Sequence, residues 1–183
     1  MRTESTMLPL GTLAPDFALP EPSGREWRLR DFAPAKALVV AFICNHCPYV
    51  VHVIDEFVAL TREYLPRGVR VVAISANDVV KYPQDAPDKM AEFARVHGFE
   101  FPYLYDESQA VARAYDAACT PDFYVFGADV RLVYRGRMDG STPGNKVPVT
   151  GADMRAALDA VLAGGMPAAE QVPSMGCNIK WKP

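Results

Sequence analysis

The sequence predicts a single α/β domain, residues 1–183, with parallel strands at its centre, and three observations carry that prediction. The apolar run Ala37-Leu38-Val39-Val40-Ala41-Phe42-Ile43 reads as a strand covered on both faces. Cys44-Asn45-His46-Cys47 follows it at once and leads into an amphipathic helical pattern. A second Val- and Ile-rich run, Val69 to Ser75, comes after that helix. Strand, helix, strand implies a parallel pair joined by a right-handed crossover.

Taken in order, the first 25 or so residues are rich in Pro and Gly and read as an extended lead-in, with Trp27-Arg28-Leu29 a short strand candidate. The helix after Cys47 carries Val50, Ile54, Phe57, Val58 and Leu65 on one stripe and stops near Pro66-Arg67-Gly68. A Pro-rich loop, Asn77 to Pro87, precedes a helix from Asp88 to His97 that Gly98 ends. Phe101 to Tyr105 reads as a short strand, and Gln109 to Tyr115 as a short helix that Ser108 could cap. Phe123 to Phe126 and Val130 to Tyr134 flank Gly127-Ala128-Asp129 as a hairpin. Thr150-Gly151-Ala152-Asp153 looks like a capping box for a last helix ending at Gly164-Gly165. Two segments exceed ordinary connector length, Arg135 to Val149 and the tail from Met166 to Pro183.

Composition narrows the function classes. With 50% apolar and 22% charged residues, the 183-residue chain can bury roughly 70% of its unfolded surface. A net charge of −3 gives no footprint for nucleic acid or an anionic membrane. The start, Met1-Arg2-Thr3-Glu4-Ser5-Thr6-Met7, lacks the apolar core of a signal peptide, and no stretch approaches the ~20 apolar residues of a membrane span. The expected setting is the cytoplasm, where thiols are kept reduced. A C-x-x-C there points to redox chemistry or metal rather than to a structural staple. Thiols three residues apart in a helical first turn have Cα atoms about 5 Å apart, within disulfide range. The helix amino end also favours thiolate over thiol.

The order strand, C-x-x-C, helix, strand, helix, then Thr120-Pro121 before a hairpin and a final helix, resembles the thioredoxin fold. The lead-in Gly11-Thr12-Leu13-Ala14-Pro15-Asp16-Phe17-Ala18-Leu19 is similar to that of the alkyl hydroperoxide reductase and thiol-specific antioxidant branch. So are Phe42 to Val50, Thr120 to Phe126 and Gly176 to Lys182, which look like a peroxiredoxin-like group within it. The resemblance implies a central mixed sheet flanked by helices, with an N-terminal extension and a C-terminal tail. It also implies a cis Thr120-Pro121 bond beside the dithiol. Cys44 would then be the exposed attacking thiol and Cys47 the resolving one. No cofactor is implied; a thioredoxin or another dithiol reductant would supply electrons for a disulfide-bearing protein or a peroxide. His46 between the thiols would stabilise thiolate and move the couple to the oxidising side of thioredoxin.

Two other readings stay open. Cys47-Pro48 fits the Cys-Pro of peroxiredoxins, with Cys47 as the peroxidatic thiol, but Cys44 stands where those enzymes place a threonine. Arg135 and Arg137 are candidates for the supporting arginine, although a solvated face is their ordinary fate. Alternatively Cys44, Cys47 and His46 with Cys119 or Cys177 could bind zinc or copper without catalysis, though one pair falls short of a usual structural zinc pattern. Cys119 is either a buried small hydrophobe or a third redox thiol. Cys177 could resolve a sulfenic acid, pair with Cys119 or have no redox role. His52 and His97 read as structural. Ile179 and Trp181 argue that the tail packs back on the domain, with Trp181 mostly buried.

Overall fold

The computed structural model describes residues 1–183. The elements run β1 (Arg2–Glu4), β2 (Ala18–Pro20), β3 (Glu26–Arg28), β4 (Ala37–Phe42), α1 (Pro48–Tyr64), β5 (Val69–Ser75) and α2 (Pro87–His97). They continue with β6 (Tyr103–Tyr105), α3 (Ala110–Ala114), β7 (Cys119–Thr120), β8 (Asp122–Gly127), β9 (Leu132–Gly136), α4 (Ala152–Leu162) and β10 (Met175–Asn178). The central sheet has the order β6-β5-β4-β8-β9. β4, β5 and β6 are parallel, while β8 and β9 join antiparallel, so the sheet is mixed as expected.

Alternation along β4 explains its continuous apolar run. Val39 and Ala41 face a core built with Ile54, Phe57 and Val58 of α1 and Met154 and Leu158 of α4. Leu38, Val40 and Phe42 face a second core with Phe17 and Leu19 of the lead-in and Tyr115 beyond α3. Each face of the strand therefore removes its side chains from water, worth roughly 1.5–3 kcal/mol per large apolar side chain. No helix is long and apolar enough to cross a membrane.

The last helix starts differently from the expected capping box. Gly151, in a left-handed conformation at φ 66°, is its N-cap, and Thr150 makes no cap bond. The free N–H groups of Asp153 and Met154 instead donate to the Met138 carbonyl, each at 3.1 Å. Buried Asp139 accepts from the N–H groups of Ser141, Thr150 and Gly151 at 2.7–2.8 Å and so orders the long segment after β9. Any side chain at Gly151 would also meet Leu60, 2.7 Å from a Cβ there.

A three-stranded sheet of order β1-β10-β7 lies at the end of the molecule that carries the cysteines. The tail docks as expected: Ile179 is 1% exposed, whereas Trp181 is only partly covered and lies under the Arg113 guanidinium at 4.4 Å.

Candidate active site

Cys44 leaves the end of β4, and Cys47 is the N-cap of α1 with Pro48 as its first residue. Proline suits that position because its φ is preset and its missing N–H had no helical partner. The two thiols are thus held at a strand-to-helix junction. Thr120-Pro121 is cis and lies against both of them. The Thr120 hydroxyl is 3.5 Å from Cys44 Sγ, and the Thr120 carbonyl is 3.2 Å from Cys47 Sγ, near enough to accept from its S–H when protonated.

The structure does not show the exposed thiol that the resemblance implied. Cys44 is 1% exposed and Cys47 0%, so Cys44 is not the open thiol of the pair. Cys47 is held down at about 4, chiefly by the hydrogen bond from the Cys44 thiol, then by Cys177, the Val50 N–H and the Thr120 hydroxyl, against the opposing effect of burial. Cys44 is raised well above the usual thiol value by donating to Cys47, by burial and by the negative charge of Asp85. The physical reason is position. Cys47 sits on the first turn of a helix, where N–H groups converge, and Cys44 precedes it in a buried loop.

That loop is held by residues that sequence reasoning missed. Buried Asp85 accepts from the Asn45 N–H at 2.9 Å and from the Asn77 side-chain amide at 2.8 Å. The Asn45 side chain donates to the Gln84 carbonyl and accepts from Tyr103, both at 3.0 Å. His46 Nδ1 lies 2.7 Å from Asp85 without hydrogen-bond alignment, and its ring stacks on Tyr82. His46 is therefore turned to Asp85, and no support of Cys47 by His46 is seen among the groups that lower it. A proline-rich loop carries no periodic signal, which is why Asn77, Tyr82 and Asp85 were not legible as site residues. Cys44, His46 and Asp85 bring ligand atoms within 4.8 Å of one another and are the set that could hold a metal. Cys119 does not join them.

The remaining candidates separate. Cys119 is fully buried with its Sγ on the Pro121 carbonyl at 3.6 Å, and burial pushes its thiol far up. Arg135 bonds the Leu8 carbonyl and Gln171, and Arg137 pairs with Asp153 at 2.6 Å, so neither supports a thiolate. His52 bonds Ser141 and His97 pairs with Asp55, each at 2.7 Å, in keeping with structural roles. Cys177, on β10, faces Thr120 across the antiparallel pair and packs beside Cys47. Beyond Pro121, a groove of about 520 Å³ opens among Tyr49, Val53, Arg137 and Ser141.

Asp122, next to the cis-proline, is a buried acid. One oxygen accepts from Tyr124 at 3.2 Å and Ala118 N–H at 3.4 Å, while the other has no partner. Burial raises it to about 7. The folded protein then holds this proton up to about pH 7, whereas the unfolded chain loses it near ~4. Its contribution to stability is present below pH ~4 and is lost as pH rises to about 7, on the order of 4 kcal/mol in all. Cys47, lowered on folding, acts with the opposite sign, so the useful quantity is a difference. Asp122→Asn should gain stability relative to the wild type as pH goes from 4 to 7, measured by urea unfolding. Parallel pH profiles would contradict this.

Comparison with known proteins places this geometry. The model of the AhpC/TSA family matches residues 10–135. The thiol-disulfide oxidoreductase ResA of Geobacillus kaustophilus is 27% identical over 141 residues, covering 74% of this chain and 75% of that protein. A Mycobacterium tuberculosis protein provisionally named as a peroxiredoxin is 29% identical over 133 residues, covering 73% of this chain and 78% of that one. A crystal structure of an uncharacterised conserved protein from Geobacillus kaustophilus superposes with a TM-score of 0.98 at 54% identity, over 100% of this chain and 97% of that chain. The topology around the cysteines is that of the thioredoxin fold.

Proposed function

The chain belongs to the AhpC/TSA family, and on that premise we propose that it is a thiol-disulfide oxidoreductase working through Cys44 and Cys47, with Cys47 as the attacking thiolate. The observation that carries this reading is the pair of sulfurs set against cis Thr120-Pro121, Cys44 Sγ 3.5 Å from the Thr120 hydroxyl and Cys47 Sγ 3.2 Å from its carbonyl, with Cys47 at the N-cap of α1. Cys47 attacks one sulfur of a substrate disulfide; that S–S bond breaks and its electron pair leaves on the second sulfur, which takes a proton. Cys44 then attacks Cys47 Sγ, closing the Cys44–Cys47 disulfide and releasing the remaining substrate thiol. A dithiol reductant such as thioredoxin restores the pair by the reverse exchange, which fits a reducing compartment such as the cytoplasm. The Asn77–Asp85 network supports the step by fixing the backbone between the two sulfurs.

A peroxidase reading is favoured by one observation, Cys47 followed by Pro48 at the helix start. Against it, no arginine is among the groups that lower Cys47. Turnover of a protein disulfide and of hydrogen peroxide, measured side by side with a thioredoxin–thioredoxin reductase couple, separates the two. We expect disulfide turnover to exceed peroxide turnover at least about tenfold in kcat/KM; the reverse order would replace this reading with the peroxidase.

A further inference from the structure

β10 occupies the edge of the cis-proline strand that an extended substrate would need. It runs antiparallel to β7 with Cys177 opposite Thr120 and Asn178 opposite Cys119. On its other edge it pairs with β1, Arg2 opposite Cys177. The fit against β7 is close: a Cβ on Gly176 would stand 1.9 Å from the Thr120 carbonyl oxygen and 2.6 Å from its carbon. Only glycine lets the tail backbone lie flat on that peptide. Beyond the strand, the Ile179 N–H donates to the Ala118 carbonyl and the Lys180 N–H to Asn77, the same Asn77 that holds Asp85. The tail and the dithiol loop therefore share one anchor.

Opposed residues in an antiparallel pair project from the same face. The Thr120 hydroxyl reaches Cys44, so its face is the thiol face, and Cys177 projects from that face too. Cys177 packs into the core that contains Cys44, Cys47 and Val50. Cys119, one residue away in the register, projects from the opposite face, which rules out the Cys119–Cys177 pair as the natural partner set. Cys177 is also the one cysteine of the four that is not fully buried.

We propose that Cys177 is a third redox thiol, which the docked tail presents to Cys47 as an internal substrate, so that Cys47 and Cys177 close a disulfide. This rests on the reading of Cys47 as the reactive sulfur. The step starts from Cys47 in a mixed disulfide with a substrate sulfur. Cys177 Sγ attacks Cys47 Sγ, the Cys47–substrate bond breaks, and the electron pair leaves on the substrate sulfur, which takes the proton that Cys177 gives up. The substrate disulfide has then been reduced by two electrons, supplied by Cys47 and Cys177. Cys44 resolves from the buried side and Cys177 from the surface side, where the resulting disulfide is open to an external dithiol reductant.

The test treats the reduced full-length protein with one equivalent of oxidised glutathione, followed by acid quench, alkylation and disulfide mapping. In Cys44→Ser the glutathione adduct on Cys47 should give way to a Cys47–Cys177 disulfide, with an adduct lifetime at least tenfold shorter than in the Cys44→Ser, Cys177→Ser double variant. An adduct equally long-lived in both, or a link from Cys47 to Cys119, overturns the proposal and leaves Cys47 as the reactive thiol. A double variant that never forms the Cys47 adduct overturns both readings. Should the Cys44 variants fail to fold, the wild type decides: graded oxidation should yield the Cys47–Cys177 linked peptide alongside the Cys44–Cys47 one, and its absence at every ratio counts against the proposal.

Discussion

Cys47→Ser is expected to lower disulfide turnover at least about a thousandfold, because a serine hydroxyl is not ionised at neutral pH and cannot replace a thiolate in exchange. Cys44→Ser should behave differently. It retains the attacking sulfur, so a single reduced equivalent should still give a burst of substrate thiol, with Cys177 as the remaining resolving sulfur, while steady-state turnover with a reductase couple falls. The contrast between the burst and the steady state separates the two roles. The chemistry rests on the asymmetry of the site: Cys47 is lowered to about 4 by donors that include Cys44, and Cys44 is raised by making that bond. A Cys44→Ser protein with no burst and a Cys47→Ser protein with one would reverse the assignment. Either variant is best compared after circular dichroism has shown a native fold, since both positions are buried.

The second large effect concerns access. Both sulfurs of the dithiol are buried and β10 lies along the Thr120 strand beside them, so displacing the tail is expected to open the site. Gly176→Ala should bring that about without touching a sulfur. A methyl group at 1.9 Å from the Thr120 carbonyl cannot be accommodated, and backbone atoms do not swing aside as a flexible side chain would. Overpacking of this kind costs typically ~1–3 kcal/mol. For a chain of this size that corresponds to a melting temperature lower by about 2–12 °C. If the cost falls on tail docking alone, iodoacetamide labelling of Cys47 should accelerate by roughly 5- to 150-fold, since every ~1.4 kcal/mol is a tenfold change in the open population. Labelling of Cys119, on the far face, should change much less. An unchanged Cys47 rate would mean that β10 does not guard the site.

Much of this architecture was legible before the structure. The apolar run at Ala37 to Ile43 and the Val- and Ile-rich run at Val69 to Ser75 correspond to β4, which ends one residue earlier at Phe42, and β5, because continuous apolar strands have few other homes. The α1 stripe was equally plain, and docking of the tail followed from Ile179 and Trp181. What escaped was the small sheet of β1, β10 and β7. Its strands are two to four residues long and join residues such as Arg2 and Cys177 across nearly the whole chain, so no local period announces them. The expected exposure of Cys44 was not met, since both sulfurs are buried. Whether Cys44 or Cys47 caps the helix depends on where the helix begins, and Pro48 at its first position was the signal that placed Cys47 there. His46 drew attention through its place between the thiols, yet its partner, Asp85, lies in a loop nearly 40 residues away whose composition suggested only a connector.

The pH dependence of thiol labelling addresses the central claim most directly. A short iodoacetamide pulse at pH values from 5 to 9, followed by peptide mapping, reads each cysteine separately. Cys47, lowered to about 4, should be labelled first at pH 6, with a rate nearly flat over the whole range. Cys177, raised to about 11 by burial and its contact with Cys47, should speed up about tenfold per pH unit despite its better access. Labelling of Cys44 ahead of Cys47, or a Cys47 rate that climbs with pH toward the ordinary thiol value, would contradict the account.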